Sequence, residues 1–217
     1  MHHIVSNLIA IKDLLKKKTE TRKSPTIIAV SKTFRADSII PLIDYGHIHF
    51  GENKVQETQE KWINLKLKYP EVQLHMVGKL QSNKVKFAIS LFDYIHSLDN
   101  LKLAEKIANE QAKANKKLKI FIQINIGDEE QKNGIKTNEL QEFSKTCIEE
   151  FNLDIIGLMC LPPKNLEPSI YFLKMKKKLE ESDLNELSMG MSEDYLEATN
   201  YGSTYVRIGQ KIFGKRY

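Results

Sequence analysis

Short apolar and β-branched runs alternate along this chain with longer stretches whose apolar residues recur at three- and four-residue spacing. Eight of the short runs read as strands: Thr26 to Val30, Ile48 to Phe50, Gln73 to Val77, Tyr94 to His96, Lys119 to Asn125, Ile155 to Met159, Glu186 to Met189 and Thr204 to Ile208. The stretches between them read as helices, with faces such as Leu101, Ala104, Ile107 and Ala108, or Ile170, Leu173 and Leu179. Ahead of the first strand, Ile4, Leu8, Ile11 and Leu15 form one stripe of an amphipathic helix over residues 1–18. Regular alternation of strand and helix means parallel strands joined by right-handed crossovers. Eight such units predict an α/β fold, a single (β/α)8 TIM barrel over residues 26–214 with an extra N-terminal helix, the whole chain 1–217 forming one domain. A doubly wound open sheet is the alternative arrangement of the same pattern.

Composition changes this picture little. The chain has 217 residues, 41% hydrophobic and 28% charged, which is an ordinary soluble make-up. No apolar run approaches the ~20 residues of a membrane-spanning helix, and the N-terminus lacks the block of a signal peptide. Cys147 and Cys160 have neither metal spacing nor a disulfide framework, so they read as packing residues in a reducing compartment, the cytoplasm. The net charge of +5 invites a nucleic-acid reading. The lysines, however, fall in helical runs such as Lys16 to Lys18 and Lys176 to Lys178, where solvation or the helix dipole accounts for them. Without aromatic interleaving, nucleic acid is not the expected partner, and the charge suits a phosphorylated small molecule.

In a barrel the loops after the strands build the site. Those loops carry Ser31-Lys32-Thr33, Gly51-Glu52-Asn53, residues 78–84, Ser97-Leu98-Asp99, residues 127–134, residues 160–163, residues 189–194 and Gly209-Gln210. Lys32 follows directly on an apolar strand, where desolvation or a neighbouring cation would lower its amine pKa, as an imine-forming lysine requires. The ends of the last two strands read as a phosphate cup. Ser192 is expected to cap the helix that follows, with Glu193, Asp194 and Glu197 in its first turns. Gly190 and Gly209 would admit phosphate oxygens close to the backbone. The acidic first turn competes for the same helix dipole. Arg207, inside the last strand, needs an acceptor that is either a carboxylate or a ligand atom. His47, His49, His75 and His96 lack metal spacing and read as packed or hydrogen-bonded. No catalytic triad elbow, Walker loop, zinc-helix or dinucleotide motif is present.

The blocks IIAVSKT (27–33), HFGENKVQE (49–57), HMVGKLQSNK (75–84), IHSLDN (95–100), IQINIGDEEQKNGI (122–135), GLMCLP (157–162), LSMGMSEDYLEA (187–198) and GSTYVRIGQKIFG (202–214) occur in this order. In them the chain resembles, nearly end to end, the pyridoxal-phosphate homeostasis family, which shares the barrel of the alanine racemase N-terminal domain. Lys79 and Cys160 depart from otherwise typical blocks. The resemblance implies pyridoxal 5′-phosphate (PLP) as cofactor and Lys32 as the Schiff-base lysine. It further implies Ser192, Arg207 and Gly209 around the phosphate and pyridine ring, and Asn53 and Met189 lining the pocket. It implies an arginine facing the pyridine nitrogen, which disfavours ring protonation and weakens the electron sink. A racemase of this fold also needs a second base from a further β domain, which is not expected here.

The resulting expectation is a cofactor carrier, without a committed catalytic reaction, that buffers PLP or delivers it to apo PLP-dependent enzymes, as a cytoplasmic monomer. A small PLP-dependent racemase or lyase, and a basic barrel for nucleic acid or a protein partner, are the competing readings. One of Lys132 and Lys215, on rim loops or near the terminus, is expected to be able to accept the cofactor transiently during transfer.

Overall fold

The computed structural model describes residues 2–19 and 23–214. Eight parallel strands close into a barrel in sequence order: β1 Thr26–Val30, β2 His49–Glu52, β3 Gln73–Met76, β4 Tyr94–Leu98, β5 Lys119–Ile124, β6 Asp154–Cys160, β7 Glu186–Met191 and β8 Tyr205–Ile208. Pairing of β8 with β1, from Thr26 opposite Tyr205 to Ala29 opposite Ile208, completes the ring. The closed ring replaces the open doubly wound alternative. It leaves no strand edge exposed, and every crossover helix lies outside. These helices are α2 Ala36–Asp44, α3 Val55–Lys68, α4 Val85–Leu91, α5 Leu101–Ala114, α6 Leu140–Lys145, α7 Pro168–Glu180, α8 Tyr195–Asn200 and the short α9 Gln210–Phe213.

The extra helix α1, His3–Lys18, buries the expected stripe of Ile4, Leu8, Ile11 and Leu15 together with Val5. It packs against α2, α8 and α9, and the Asn7 side-chain amide donates to the Ile212 carbonyl at 2.9 Å. The first and last helical units are thereby tied together over the seam where the barrel closes. Leu8 is wholly buried, and its truncation to alanine would cost about 2–5 kcal/mol.

Strand parity sorts the core into two layers. Phe50, Leu74, Ile95, Ile120, Ile122, Leu158, Leu187 and Val206 face the helices in one large cluster. Inside the barrel a smaller cluster holds Ile28, Val30, Tyr94, Phe121, Met159 and Tyr205. A barrel interior is ordinarily layered with branched aliphatics, and here aromatic rings and imidazoles fill much of it.

One helical face differs from expectation. On α7 the buried residues are Phe172 and Met175, while Ile170 and Leu173 are exposed. Residues 170–173 are apolar at four successive positions, so spacing alone cannot choose the face. The large Phe172 ring takes the core position.

Candidate functional site

The C-terminal mouth of the barrel contains a cavity of about 400 Å³ lined by Val30, Lys32, Val77, Leu161, Met191, Ser192, Glu193, Asp194, Arg207, Gly209 and Gln210. Larger depressions, of about 520 Å³ beside α5 and about 670 Å³ between α2 and α3, lie away from the barrel axis. The mouth cavity is where barrel geometry concentrates side chains from several strands. It brings together Lys32, Ser192, Arg207 and Gly209.

Lys32 stands two residues past the end of β1, half-buried. Its turn is held from behind. The Ser31 hydroxyl donates to Glu52 Oε1 at 2.7 Å, the Lys61 amine reaches both that oxygen and the Ser31 carbonyl at 2.9 Å, and the Trp62 indole N–H donates to Glu52 Oε1 at 2.9 Å. Glu52 is wholly buried and Lys61 nearly so. After Lys32 the chain takes a left-handed conformation at Thr33, with φ of 71°, which a β-branched residue adopts only under strain. The Thr33 N–H donates to Glu57 Oε1 at 2.5 Å, which secures that turn.

Arg207 is buried on β8 and points into the barrel. Its Nη1 donates to the Ser188 carbonyl at 2.6 Å and the Ser188 hydroxyl at 2.7 Å, and its Nη2 donates to the Cys160 carbonyl at 2.8 Å. All three acceptors are uncharged protein dipoles, where the sequence led us to expect either a carboxylate or a ligand atom. Burial works against its charge, with Asp194 and Cys160 offsetting part of that effect.

Ser192 lies elsewhere than expected. It does not cap α8. That helix starts at Tyr195 after Asp194, whose carboxylate instead accepts the Met191 N–H at 2.6 Å. A register shift between β7 and β8 and φ of +90° at Gly190 carry the strand on to Met191, so the turn and the helix begin later. The Ser192 hydroxyl accepts the Lys211 N–H of α9 at 3.4 Å. Gly190, too, serves another purpose. A Cβ there would lie 2.6 Å from the Ala198 Cβ, so it admits α8 and not an anion. At Gly209 a Cβ would meet the Val30 carbonyl at 3.2 Å, on the cavity wall.

Asn53 and Met189 do not line this cavity. Asn53 borders a separate depression of about 350 Å³ with Lys54, Lys79 and Lys84, and its Oδ1 is buried without a hydrogen-bond partner. Met189 is buried in the cluster facing the helices. It shares parity with Leu187, whereas Met191, beyond the irregularity, lines the mouth. Lys132 is held, in an ion pair with Glu129 and a hydrogen bond to the Pro162 carbonyl at 3.2 Å. Lys215 is outside the described residues.

Lys61 and Trp62 carry no signal in the sequence, and Glu52 shows there only as a rim residue, whereas the histidines are packed and hydrogen-bonded as expected. Among the described residues no cluster of three or more His, Cys, Asp or Glu side chains could hold a metal ion. Three of the imidazoles form a chain of hydrogen bonds inside the barrel: His49 to His75 at 3.0 Å, His75 to His96 at 3.0 Å, and His96 to the Ser188 hydroxyl at 2.9 Å. The available signal was parity, since His75 precedes the inward-facing Val77 by two residues.

The family model described as alanine racemase, N-terminal domain, matches residues 4–216. The pyridoxal phosphate homeostasis protein of Escherichia coli K12 is 36% identical over 231 residues, covering 100% of this chain and 98% of that protein. This chain belongs to the pyridoxal phosphate homeostasis protein family. The chain is also similar to PipY of Synechococcus elongatus PCC7942, solved without PLP, with a TM-score of 0.89, 31% identity and coverage of 97% of this chain and 100% of PipY. PipY with PLP bound gives a TM-score of 0.85 at 30% identity over the same shares. Among the described residues no helix is long and apolar enough to cross a membrane.

Proposed function

We propose that this chain holds pyridoxal 5′-phosphate in the mouth cavity as a Schiff base on Lys32. It then buffers the cofactor or delivers it to apo PLP-dependent enzymes, without carrying a committed reaction of its own. The observation that carries the reading is the convergence of Lys32 and Arg207, one from each strand at the barrel seam, on a single cavity of about 400 Å³.

The lining fits the group. Val30, Val77, Leu161 and Met191 offer apolar surface to a planar ring, and Lys32 supplies the amine that condenses with its aldehyde, releasing water. Ser192 and Gly209 stand at the start of α9, where a phosphate would be received. Glu193 and Asp194 also line the cavity, and Asp194 is engaged by the Met191 N–H. When bound, PLP supplies an electron sink for carbanion chemistry. Arg207, which forms no ion pair with a carboxylate among the described residues, would disfavour protonation of a ring nitrogen placed against it, and so restrain that sink. The relatives' name and the PLP-bound PipY structure support the cofactor assignment. Both cysteines are free and buried, in keeping with a reducing compartment. We therefore assign the protein to the cytoplasm, and we propose that it acts as a monomer.

The deciding experiment is a visible spectrum of the protein loaded with PLP, before and after borohydride, with the labelled peptide identified. We expect a band that is lost in Lys32→Ala and a label on residue 32. Label at another lysine, or an unchanged band in Lys32→Ala, would overturn the assignment. Exchange of amino-acid α-protons with deuterium that depends on Lys32 would turn the reading to a small racemase or lyase.

A further inference from the structure

We infer that Ser188 and His96 are positioning residues for Arg207, acting at the head of a one-directional hydrogen-bond column that descends the barrel interior through His75 to His49. The inference deepens the cofactor reading above and rests on it for its purpose, although the column itself is a property of the protein alone.

The column follows from strand register. His49 on β2 pairs level with Gln73, and His75 on β3 pairs level with Gly51. His75 in turn pairs level with Tyr94, which puts His96 on β4 two residues further up. On three successive strands the inward imidazole therefore climbs by one pleat, a staircase that follows the tilt of the strands. At its top His96 meets Ser188, from β7, across the barrel. Ser188 carries Arg207 of the neighbouring strand through both its carbonyl and its hydroxyl.

The direction of the bonds is set by the head of the column. A guanidinium has donors and no acceptor, so the Ser188 oxygen must accept from Arg207 at 2.7 Å. The serine proton is then free to go to His96 Nδ1 at 2.9 Å. A neutral imidazole that accepts at Nδ1 carries its hydrogen on Nε2. His96 accordingly donates from Nε2 to His75 Nδ1 at 3.0 Å, and His75 donates from Nε2 to His49 Nδ1 at 3.0 Å. The reverse order would aim two donors at the Ser188 oxygen, leave its own hydrogen to find another acceptor, and turn every N–H dipole toward the cation. Both buried rings are also clamped. His75 stacks on Tyr94 with centroids 4.1 Å apart, and His96 stacks on Phe121 at 4.3 Å. His75 and His96 are wholly enclosed, and burial holds both pKa values well below the usual histidine range, with the charge of Arg207 adding to the effect at His96. The rings are neutral, as the column requires.

The consequence reaches the cavity. Arg207 is a desolvated cation with no carboxylate within ion-pair distance among the described residues. A row of aligned dipoles below it takes the place that a carboxylate would fill. The column fixes where the guanidinium sits while leaving its charge unneutralised. That is the state that keeps a facing ring nitrogen unprotonated.

The test has two arms. In the cofactor-free protein labelled with ¹⁵N-histidine, NMR at neutral pH should show His75 and His96 as neutral Nε2–H tautomers, with the His96 signals shifted in Ser188→Ala. Nδ1–H tautomers or a charged ring at either position would overturn the column. In the second arm PLP is titrated into wild type, Ser188→Ala, Ser188→Thr and His96→Phe. Ser188→Ala and His96→Phe should weaken binding about tenfold, the size of one hydrogen bond to a charged group, and move the visible band. Ser188→Thr, which keeps the hydroxyl, should restore both. Wild-type affinity and band position in Ser188→Ala would sink the positioning role. If Ser188→Ala does not fold, the tautomers of the wild-type protein decide. Absence of any band in wild type would remove the cofactor reading, and the tautomers would still decide the column.

Discussion

The hydroxyl of Ser31 donates to Glu52 Oε1 across 2.7 Å, and through that bond the turn bearing Lys32 is anchored to a charge pair beneath the barrel wall. Glu52 and Lys61 are both out of water, at 0% and 7% side-chain exposure. A buried pair contributes little net stability when intact, but removing one partner strands the other charge at a cost of about 3–5 kcal/mol. Lys61→Met is therefore expected to lower the unfolding free energy by about that amount. The double variant Glu52→Leu/Lys61→Met should lose much less than the sum of the two single variants, because no charge is left unpaired. Denaturant titration of the four proteins measures the coupling. Additive losses would show that the pair does not act as a unit.

The buried imidazoles make the fold sensitive to acid. Burial, with Lys12 nearby, lowers the pKa of His47 to about 3, and burial carries His75 and His96 well below their usual range. In the unfolded chain each titrates near ~6.5. Above that pH folded and unfolded states are both neutral at these positions, and stability from this source is constant. Below it the unfolded chain takes up protons that the fold refuses, so stability falls as pH falls. Each such histidine should cost about 2 kcal/mol by pH 5 relative to pH 7.5. Urea midpoints across that range should decline more steeply in wild type than in His47→Gln. Parallel curves would mean that His47 is protonated in the fold.

Both thiols should be silent in the native state. Burial pushes Cys147 and Cys160 up to about 12, and the thiolate is the reactive form. At pH 8 a disulfide reagent is expected to label neither residue until denaturant is added, whereupon both react. Rapid labelling of Cys160 under native conditions would show that the layer between β6 and the helices covering it opens to solvent.

Much of this architecture was legible because a parallel sheet buried on both faces writes each strand as a short apolar run. All eight runs became strands, with ends displaced by a residue or two. Lys32 and Arg207 were legible for a related reason, as charges placed at the end of one apolar run and inside another. The rest depended on direction. Met189 and Met191 are two residues apart on β7, and only the irregularity at Gly190 decides which one reaches the mouth. The histidines were visible as residues, but their column exists only once tilt and register set three strands at successive heights. Glu52 and Lys61 meet because α3 folds back over the strand before it, a contact that no local pattern records.

Gly190 offers the sharpest test of how that irregularity shapes the site. Its φ of +90° is one that residues with a side chain rarely adopt, and a Cβ there would lie 2.6 Å from Ala198 and 3.0 Å from the Tyr195 Cα. Substitution by alanine therefore brings backbone strain of about 1–3 kcal/mol together with displacement of α8 from the sheet. The strain falls between Ser188, which carries Arg207, and Met191 and Ser192, which line the cavity. Gly190→Ala is accordingly expected to lower both the melting temperature and the affinity for PLP. Ala198→Gly in the same chain removes the closer of the two contacts, so it should recover part of the lost stability while the strained φ and the Tyr195 contact persist. A Gly190→Ala protein with wild-type melting temperature and affinity would show that the strand bends without help from this residue.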